Sequence, residues 1–200
     1  MRVALIAVLV GAASMNPSAA TQAIQKRDAA IRAVLPPMGQ SPTEAQKTQA
    51  QSLLTQFIDF QGMAEAALGK HWKEMSPAKR KQLVDAFTTR LKAATLSQLD
   101  FYRSTQIAYA PAVVQGDRVK VPTSMVVQGE PTQVAYVMKP GKDGWQIEDI
   151  VIDEVSTIDN YRSSFARVIN KEGVDGLIAR LEKRRTTPAD GGARQVAPAK

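Results

Sequence analysis

The apolar residues of this chain follow two different periods, and the change near Ile107 constrains the fold more than any other feature. Before Ile107 they recur every three or four positions, as on one face of a helix, and after it they alternate, as on one face of a strand. Helical spacing returns at Thr157 and continues to about Lys183. Because the strands are grouped and do not alternate with helices, the pattern predicts an α+β fold with an antiparallel sheet packed against helices.

Three helices are predicted ahead of the strands. The first, over about 41–58, begins with a capping box in which Ser41 is the N-cap and Glu44 lies three residues on. The second, over about 59–69, is capped by an aspartate and stopped by a glycine. The third, over about 76–102, begins with Ser-Pro and is the longest helix that the pattern predicts.

About four strands are predicted, and the three longest lie at 117–128, 132–139 and 144–155. The segments between them, QGEP and PGKDG, are typical of hairpin turns. We therefore expect a twisted antiparallel sheet of the cystatin or NTF2-like type, with several helices packed on one face of it.

The first twenty residues have the layout of a secretory signal peptide. Arg2 precedes an apolar run, Val3 to Val10, and small residues follow up to Ala20. The run is much shorter than the roughly 20 residues of a membrane span. We expect cleavage near the Ala20–Thr21 bond, one domain over residues 21–183 and a disordered Pro-, Gly- and Ala-rich tail over residues 184–200.

The absence of cysteine narrows the possible sources of stability, since an exported chain without Cys has no disulfides and depends on packing. The formal net charge of +7 suits nucleic acid, anionic lipid headgroups or an acidic partner protein. Export makes nucleic acid the least favoured of these three.

Patterns that indicate catalysis or metal binding are few. A zinc site needs three or four ligands, and the chain has one histidine, His71, and no cysteine. It contains no Gly-x-Ser-x-Gly elbow and no phosphate-binding glycine motif of the two common types. Paired carboxylates among the 19 acidic residues stay possible but carry little information. The sequence therefore predicts no catalytic residue, no metal and no cofactor.

The segment from Ile152 to Ile169 combines polar residues with an apolar helical face. Ser156 and Asp159 have the spacing of a capping box, which gives them a role at the start of a helix. At about 100° per residue, Arg162 falls inside the apolar face of that helix. An arginine in that position needs a carboxylate partner.

The strand before this helix contains a matching carboxylate. Trp145 and Ile147 define an inward phase, and the next position in that phase is Asp149. We therefore predict a partly buried ion pair between Asp149 and Arg162 that joins the strand to the helix. The alternatives are that Arg162 pairs with another carboxylate or extends its side chain to water; the alternative carboxylates are Glu148, Asp153 and Asp59.

These residues also carry a resemblance to a known family. The stretches DFQGMAEAALGKHW and GWQIEDIVIDEVSTIDNYRSSFARVINKEGVDGLIARLEKR, with the leader-like N-terminus, resemble the MlaC or toluene-tolerance auxiliary family of periplasmic phospholipid-shuttle proteins. One branch of that family, HpnM, is associated with hopanoid lipids. The resemblance runs from about Leu53 to Lys183. The family pattern tends to have Gly where this chain has Glu154, a change that bears on the turn between strand and helix.

The resemblance implies a periplasmic carrier with no catalytic step, in which sheet and helices enclose an apolar pocket for acyl chains. Its partners would be an inner-membrane ABC transporter with an MCE component and an outer-membrane lipoprotein complex that together maintain outer-membrane lipid asymmetry. The cargo would be phospholipid or a hopanoid-type lipid, and the protein would be monomeric. The candidate lipid-binding residues are Leu91, Leu99, Val121, Met125, Val127, Val134, Tyr136, Met138, Trp145, Ile147, Ile150, Ile152, Tyr161, Phe165 and Ile169.

Alternation alone does not distinguish a filled core from a lipid-filled one. Two other classes of protein therefore stay open at this point. One is a small enzyme that acts on a hydrophobic substrate, which would need titratable groups converging in a cavity. The other is an adaptor that binds only protein partners, which would have a filled core.

Overall fold

The computed structural model describes residues 15–37, 39–96, 99–104, 106–127, 130–142 and 144–183. Most of the predicted signal peptide, up to residue 14, and the predicted tail over residues 184–200 lie outside the described residues. The helices of the described residues are α1 (Pro17–Val34), α2 (Glu44–Thr55), α3 (Phe60–Leu68), α4 (Lys70–Glu74), α5 (Pro77–Leu96), α6 (Leu99–Ser104) and α7 (Thr157–Lys183).

Local capping chemistry explains where several helices begin and end. Asp59 caps α3 by accepting a hydrogen bond from the backbone N–H of Gly62 at 2.8 Å, and Gly69 ends α3 with a positive φ of 55°. The predicted cap of α2 at Ser41 is wrong, because Thr43 caps this helix in a box with Gln46.

The strands are β1 (Ala108–Tyr109), β2 (Val113–Gln115), β3 (Arg118–Val127), β4 (Glu130–Gly141), β5 (Gly144–Ile152) and β6 (Val155–Ser156). They form one antiparallel sheet in the order β1-β3-β4-β5-β6, and β2 pairs with the same strand, β3, as β1 does. The α+β class is confirmed. The predicted number of strands was low because β1, β2 and β6 have only two or three residues, too few for alternation to be recognised.

A β-bulge in β5 changes which residues share a face of the sheet. Met138 on β4 pairs with Ile147, but the preceding residue, Val137, pairs with Asp149, so Glu148 is an extra residue on β5. The bulge puts Ile150 on the same face as Ile147 and turns Asp149 to the opposite face.

The buried apolar residues form three clusters. The sheet cluster joins one face of the sheet to α1 and consists of Ala20, Ile24, Val119, Val121, Val134, Tyr136, Met138 and Ile147. The helical cluster joins α3, α4, α5 and α7 and includes Met63, Trp72, Leu83, Phe87, Ile158, Phe165 and Leu177. The α1–α2 cluster consists of Ile31, Leu35, Ala50, Leu54 and Leu99.

Candidate functional site

One face of the sheet brings together most of the predicted lipid-binding residues. Buried in the sheet cluster are Val121, Val134, Tyr136, Met138 and Ile147, and packed against them are Met125, Trp145, Ile150 and Ile152. The cross-strand pairs Val121–Tyr136–Ile150 form one row of this surface. Val127 belongs to β3, but its side chain lies outside the described residues. The face is an apolar surface on three adjacent strands, in which the hydroxyl of Thr123 donates to the Val134 carbonyl.

The other predicted residues lie in different clusters. Leu99 is buried in the α1–α2 cluster, whereas Phe165 is buried in the helical cluster with Leu91, Tyr161 and Ile169 against it. The rings of Tyr161 and Phe165 contact Phe87 of α5, with centroids 5.0 and 5.7 Å away. Helix α7 therefore turns these two rings towards α5.

Helix α1, which sequence reasoning missed, covers the apolar face of the sheet. Ala20 and Ile24 are completely or almost completely buried in the sheet cluster, and Ile31 continues the same face of the helix into the α1–α2 cluster. The spacing of these residues is helical and was available in the sequence.

The segment between α2 and α3 closes one edge of this site. The backbone N–H of Ile147 donates to the carbonyl of Phe57 at 2.6 Å, and the N–H of Asp59 donates to the carbonyl of Ile147 at 2.9 Å. Phe57 and Ile58 also pack against the sheet cluster. The edge of β5 at the bulge is therefore covered.

The interior also contains a buried ion pair on α1. Nε and Nη2 of Arg27 donate to Oδ1 of Asp28 at 3.0 and 2.7 Å, and both side chains are 2% exposed. The Tyr109 hydroxyl donates to Oδ2 of Asp28 at 2.8 Å, and the guanidinium carbon of Arg27 lies 4.5 Å from the centroid of the Tyr136 ring. We call these four residues the Arg27 cluster.

Protonation in and beside the Arg27 cluster follows from burial and from neighbouring charges. Burial lowers the pKa of Arg27, but Tyr136, Tyr102 and Asp28 raise it more, so the guanidinium stays charged. Burial and the Asp28 carboxylate raise the pKa of the Tyr109 hydroxyl, which stays protonated and able to donate. Burial raises the pKa of Tyr102 as well.

The predicted ion pair between Asp149 and Arg162 does not form. Oδ2 of Asp149 accepts from the Ser156 hydroxyl at 2.6 Å, and Oδ1 accepts from the N–H of Ile158 at 3.1 Å. Arg162 pairs with Asp159 and donates to the carbonyl of Ala66 at 3.2 Å, with about half of its side chain exposed. The prediction was wrong because the bulge reverses the phase that placed Asp149 inward.

Asp149 and Arg162 do line the same cleft, which has a volume of about 280 Å³ and lies at the junction of β5, α3 and α7. Glu148 also lines the cleft. Lys139 bridges Glu148 and Asp59, and hydrogen bonds to these carboxylates raise the pKa of Lys139. Arg118 pairs with Glu148 at 2.6 Å. The charged groups of the cleft thus form ion pairs and hydrogen bonds at the junction between the sheet and the helices.

Two further structural observations bear on function. Among the residues that the structure describes, no group of three or more His, Cys, Asp or Glu side chains is placed to hold a metal ion. In the same residues no helix combines the length and the apolar character needed to span a bilayer.

Comparison with known proteins gives one family match and a similar solved structure. The family model described as MlaC protein matches residues 25–183. One similar solved structure is that of a phospholipid-binding protein from Ralstonia solanacearum, determined in complex with a phospholipid. The two chains are 24% identical with a TM-score of 0.68, and the match covers 84% of this chain and 96% of the other, which shows a shared fold. Since the family model spans most of its length, this protein belongs to the MlaC family.

Proposed function

We propose that this protein is a periplasmic lipid carrier that binds phospholipid and moves it between an inner-membrane ABC transporter with an MCE component and an outer-membrane lipoprotein complex. Family membership supports this role, and the similar Ralstonia protein was determined with a phospholipid bound. The transport is a binding and release cycle without a chemical step. Export by the N-terminal segment and cleavage near Ala20 are part of the proposal.

The observation that carries the proposal is the apolar face on β3, β4 and β5. A soluble carrier must keep acyl chains from water, because each exposed methylene costs about 0.8 kcal/mol. The face extends over three strands. Met125 and Met138 on it have flexible side chains that can adapt to a mobile ligand.

The covering of this face by one helix suggests how lipid reaches it. In the exported protein that begins at Thr21, Ile24 of α1 occupies the surface that acyl chains would contact. We propose that the first part of α1 moves away from the sheet as chains enter, so that contacts with lipid replace the contacts of Ile24, while the Arg27 cluster keeps its place. The cost of exposing the sheet is then compensated by the burial of hydrocarbon.

Native mass spectrometry of the exported protein, purified without added lipid, tests the proposal directly. We expect bound phospholipid that organic extraction releases and identifies. A protein that is lipid-free and also takes up no lipid from phospholipid vesicles would refute the carrier function.

A matched pair of variants tests the location of the site. Ile150 lies on the proposed lipid face, and its neighbour Val151 lies on the opposite face of β5; both are half-buried. Because overpacking an interior costs about 1–3 kcal/mol, Ile150→Trp should reduce lipid uptake by at least about fivefold. Val151→Trp should retain uptake, and equal uptake by both variants would place the lipid elsewhere.

A further inference from the structure

The buried face of α1 alternates between apolar and charged positions. Ala20 and Ile24 pack in the sheet cluster, Arg27 and Asp28 follow, and Ile31 then packs in the α1–α2 cluster. At 1.5 Å per residue, the charged pair lies about 5 Å along the helix from the apolar residue on either side. The Arg27 cluster therefore separates two apolar regions of the interior.

Stability does not explain why this pair is retained in the interior. Removing two charges from water costs several kcal/mol per ion, and replacing a buried ion pair by apolar residues is often neutral or stabilising. An interior that held only hydrocarbon would have no need of Arg27 and Asp28. Their burial points to a polar group that enters the same space.

The hydrogen bonds of Arg27 leave donors for such a group. A guanidinium has five N–H donors, and the structure gives Arg27 two hydrogen bonds, both to the same oxygen of Asp28. The other carboxylate oxygen is occupied by the Tyr109 hydroxyl. Tyr109 and Asp28 thus hold the guanidinium in place against the Tyr136 ring while further N–H groups stay available.

Charge balance indicates which kind of acceptor the remaining Arg27 donors would take. The pair Arg27–Asp28 is neutral overall, so a buried phosphate at this point would add one uncompensated negative charge. A carbonyl oxygen accepts from the guanidinium without adding charge. In a glycerolipid, the uncharged ester carbonyls join the acyl chains to the glycerol, so a carbonyl at the Arg27 cluster would let its acyl chain run into a neighbouring apolar region.

We propose that Arg27 donates a hydrogen bond to an ester carbonyl of the bound lipid, with Asp28 and Tyr109 as positioning residues. This inference rests on the proposed lipid-carrier function and narrows its cargo to ester-linked lipids. A lipid without acyl esters, such as an ether-linked or polycyclic lipid, offers no ester carbonyl to these donors. The headgroup phosphate stays outside the Arg27 cluster.

The test is a competition between two phospholipids with the same headgroup and chain length, one with ester and one with ether linkages. Full-length protein is equilibrated with vesicles that contain both in equal amounts, and native mass spectrometry resolves the two complexes by mass. A hydrogen bond from a charged group contributes about 1.5–3 kcal/mol, so we expect the ester lipid to be favoured at least about tenfold.

Variants test whether the preference for the ester lipid comes from the Arg27 cluster. The double substitution Arg27→Met with Asp28→Leu removes both charges together and leaves no unpaired ion; it should still bind lipid, with an ester-to-ether ratio near one. Tyr109→Phe should lower the ratio while retaining binding, and it serves as the test if the double variant does not fold. Thr123→Val is the matched control, because Thr123 is buried on the same sheet face but donates to the Val134 carbonyl; it should retain the preference.

The outcomes separate the two proposals. If the wild-type protein takes up neither lipid, the carrier function fails. If it takes up both lipids equally, or if the Tyr109→Phe and double variants keep the wild-type ratio, the carrier function stands and recognition of the ester by Arg27 is overturned.

Discussion

Asp149 on β5 accepts a hydrogen bond from the Ser156 hydroxyl, and the same carboxylate accepts from the backbone N–H groups of Ile150 and Ile158. Through the bonds from Ser156 and Ile158 a single side chain fastens the last long strand to the start of α7. The bulge at Glu148 makes this possible, because it turns Asp149 away from the apolar face of the sheet.

Removal of this carboxylate should be costly. We expect Asp149→Ala to lower the free energy of unfolding by about 2–3 kcal/mol, since it leaves partly buried donors without their acceptor. Arg162→Ala should cost less than about 1 kcal/mol, because the pair with Asp159 is largely exposed. Urea unfolding measures both. Exchange of the two charges, Asp149→Arg with Arg162→Asp, should not restore stability; a recovery would show that the two side chains do interact.

The turn between β5 and β6 contains a strained residue. Asp153 and Glu154 have φ values of 46° and 68°, in the left-handed region that glycine adopts without steric cost. We expect Glu154→Gly to stabilise the protein by up to about 1 kcal/mol, or about 2–4 °C in Tm. Asp153→Gly is the control and should destabilise, because the Asp153 carboxylate accepts from the Gln133 N–H at 2.9 Å. Equal losses in Tm for the two variants would contradict this account of the turn.

The tyrosines should make stability depend on alkaline pH. Burial raises the pKa of Tyr102, Tyr109 and Tyr161, whereas phenols of the unfolded chain ionise near pH 10. The stabilisation that the protonated phenols contribute is therefore complete below about pH 10. It is lost as the pH rises from about 10 towards the higher pKa values of these tyrosines in the folded protein. Phenolate absorbance should appear at higher pH in native protein than in urea. Coinciding titration curves would contradict the burial of these hydroxyls.

The predicted cleavage site has a consequence for α1. The Asn16 side chain caps this helix by accepting from the N–H groups of Ser18 and Ala19 at 3.0 and 3.3 Å. We expect a chain that begins at Thr21 to be less stable than one that begins at Met15 by about 1 kcal/mol or more, since it lacks the cap and the buried Ala20. Thermal unfolding compares the two chains, and N-terminal sequencing of the exported protein is expected to give Thr21. Equal Tm values would show that the first turn of α1 contributes nothing.

Periodicity in the sequence determined the α+β class, the three long strands and the side chains of β3 and β4 that face inward. These features depend on local backbone geometry, because alternation fixes which residues share a face in a strand that no bulge interrupts. For the same reason the capping roles of Asp59 and Ser156 could be recognised, since the partners of a cap lie within a few residues.

Only the tertiary structure decided which surfaces face one another. The bulge that turns Asp149 outward depends on pairing with β4, and the packing of Tyr161 on Phe87 depends on a helix far away in the chain. Likewise, the adjacent residues Arg27 and Asp28 look like a solvated pair in sequence, yet the sheet buries both of them beneath Tyr136 and Tyr109. Contacts between residues distant in sequence carry no local periodicity, so the interior that we propose for lipid became visible only in the folded chain.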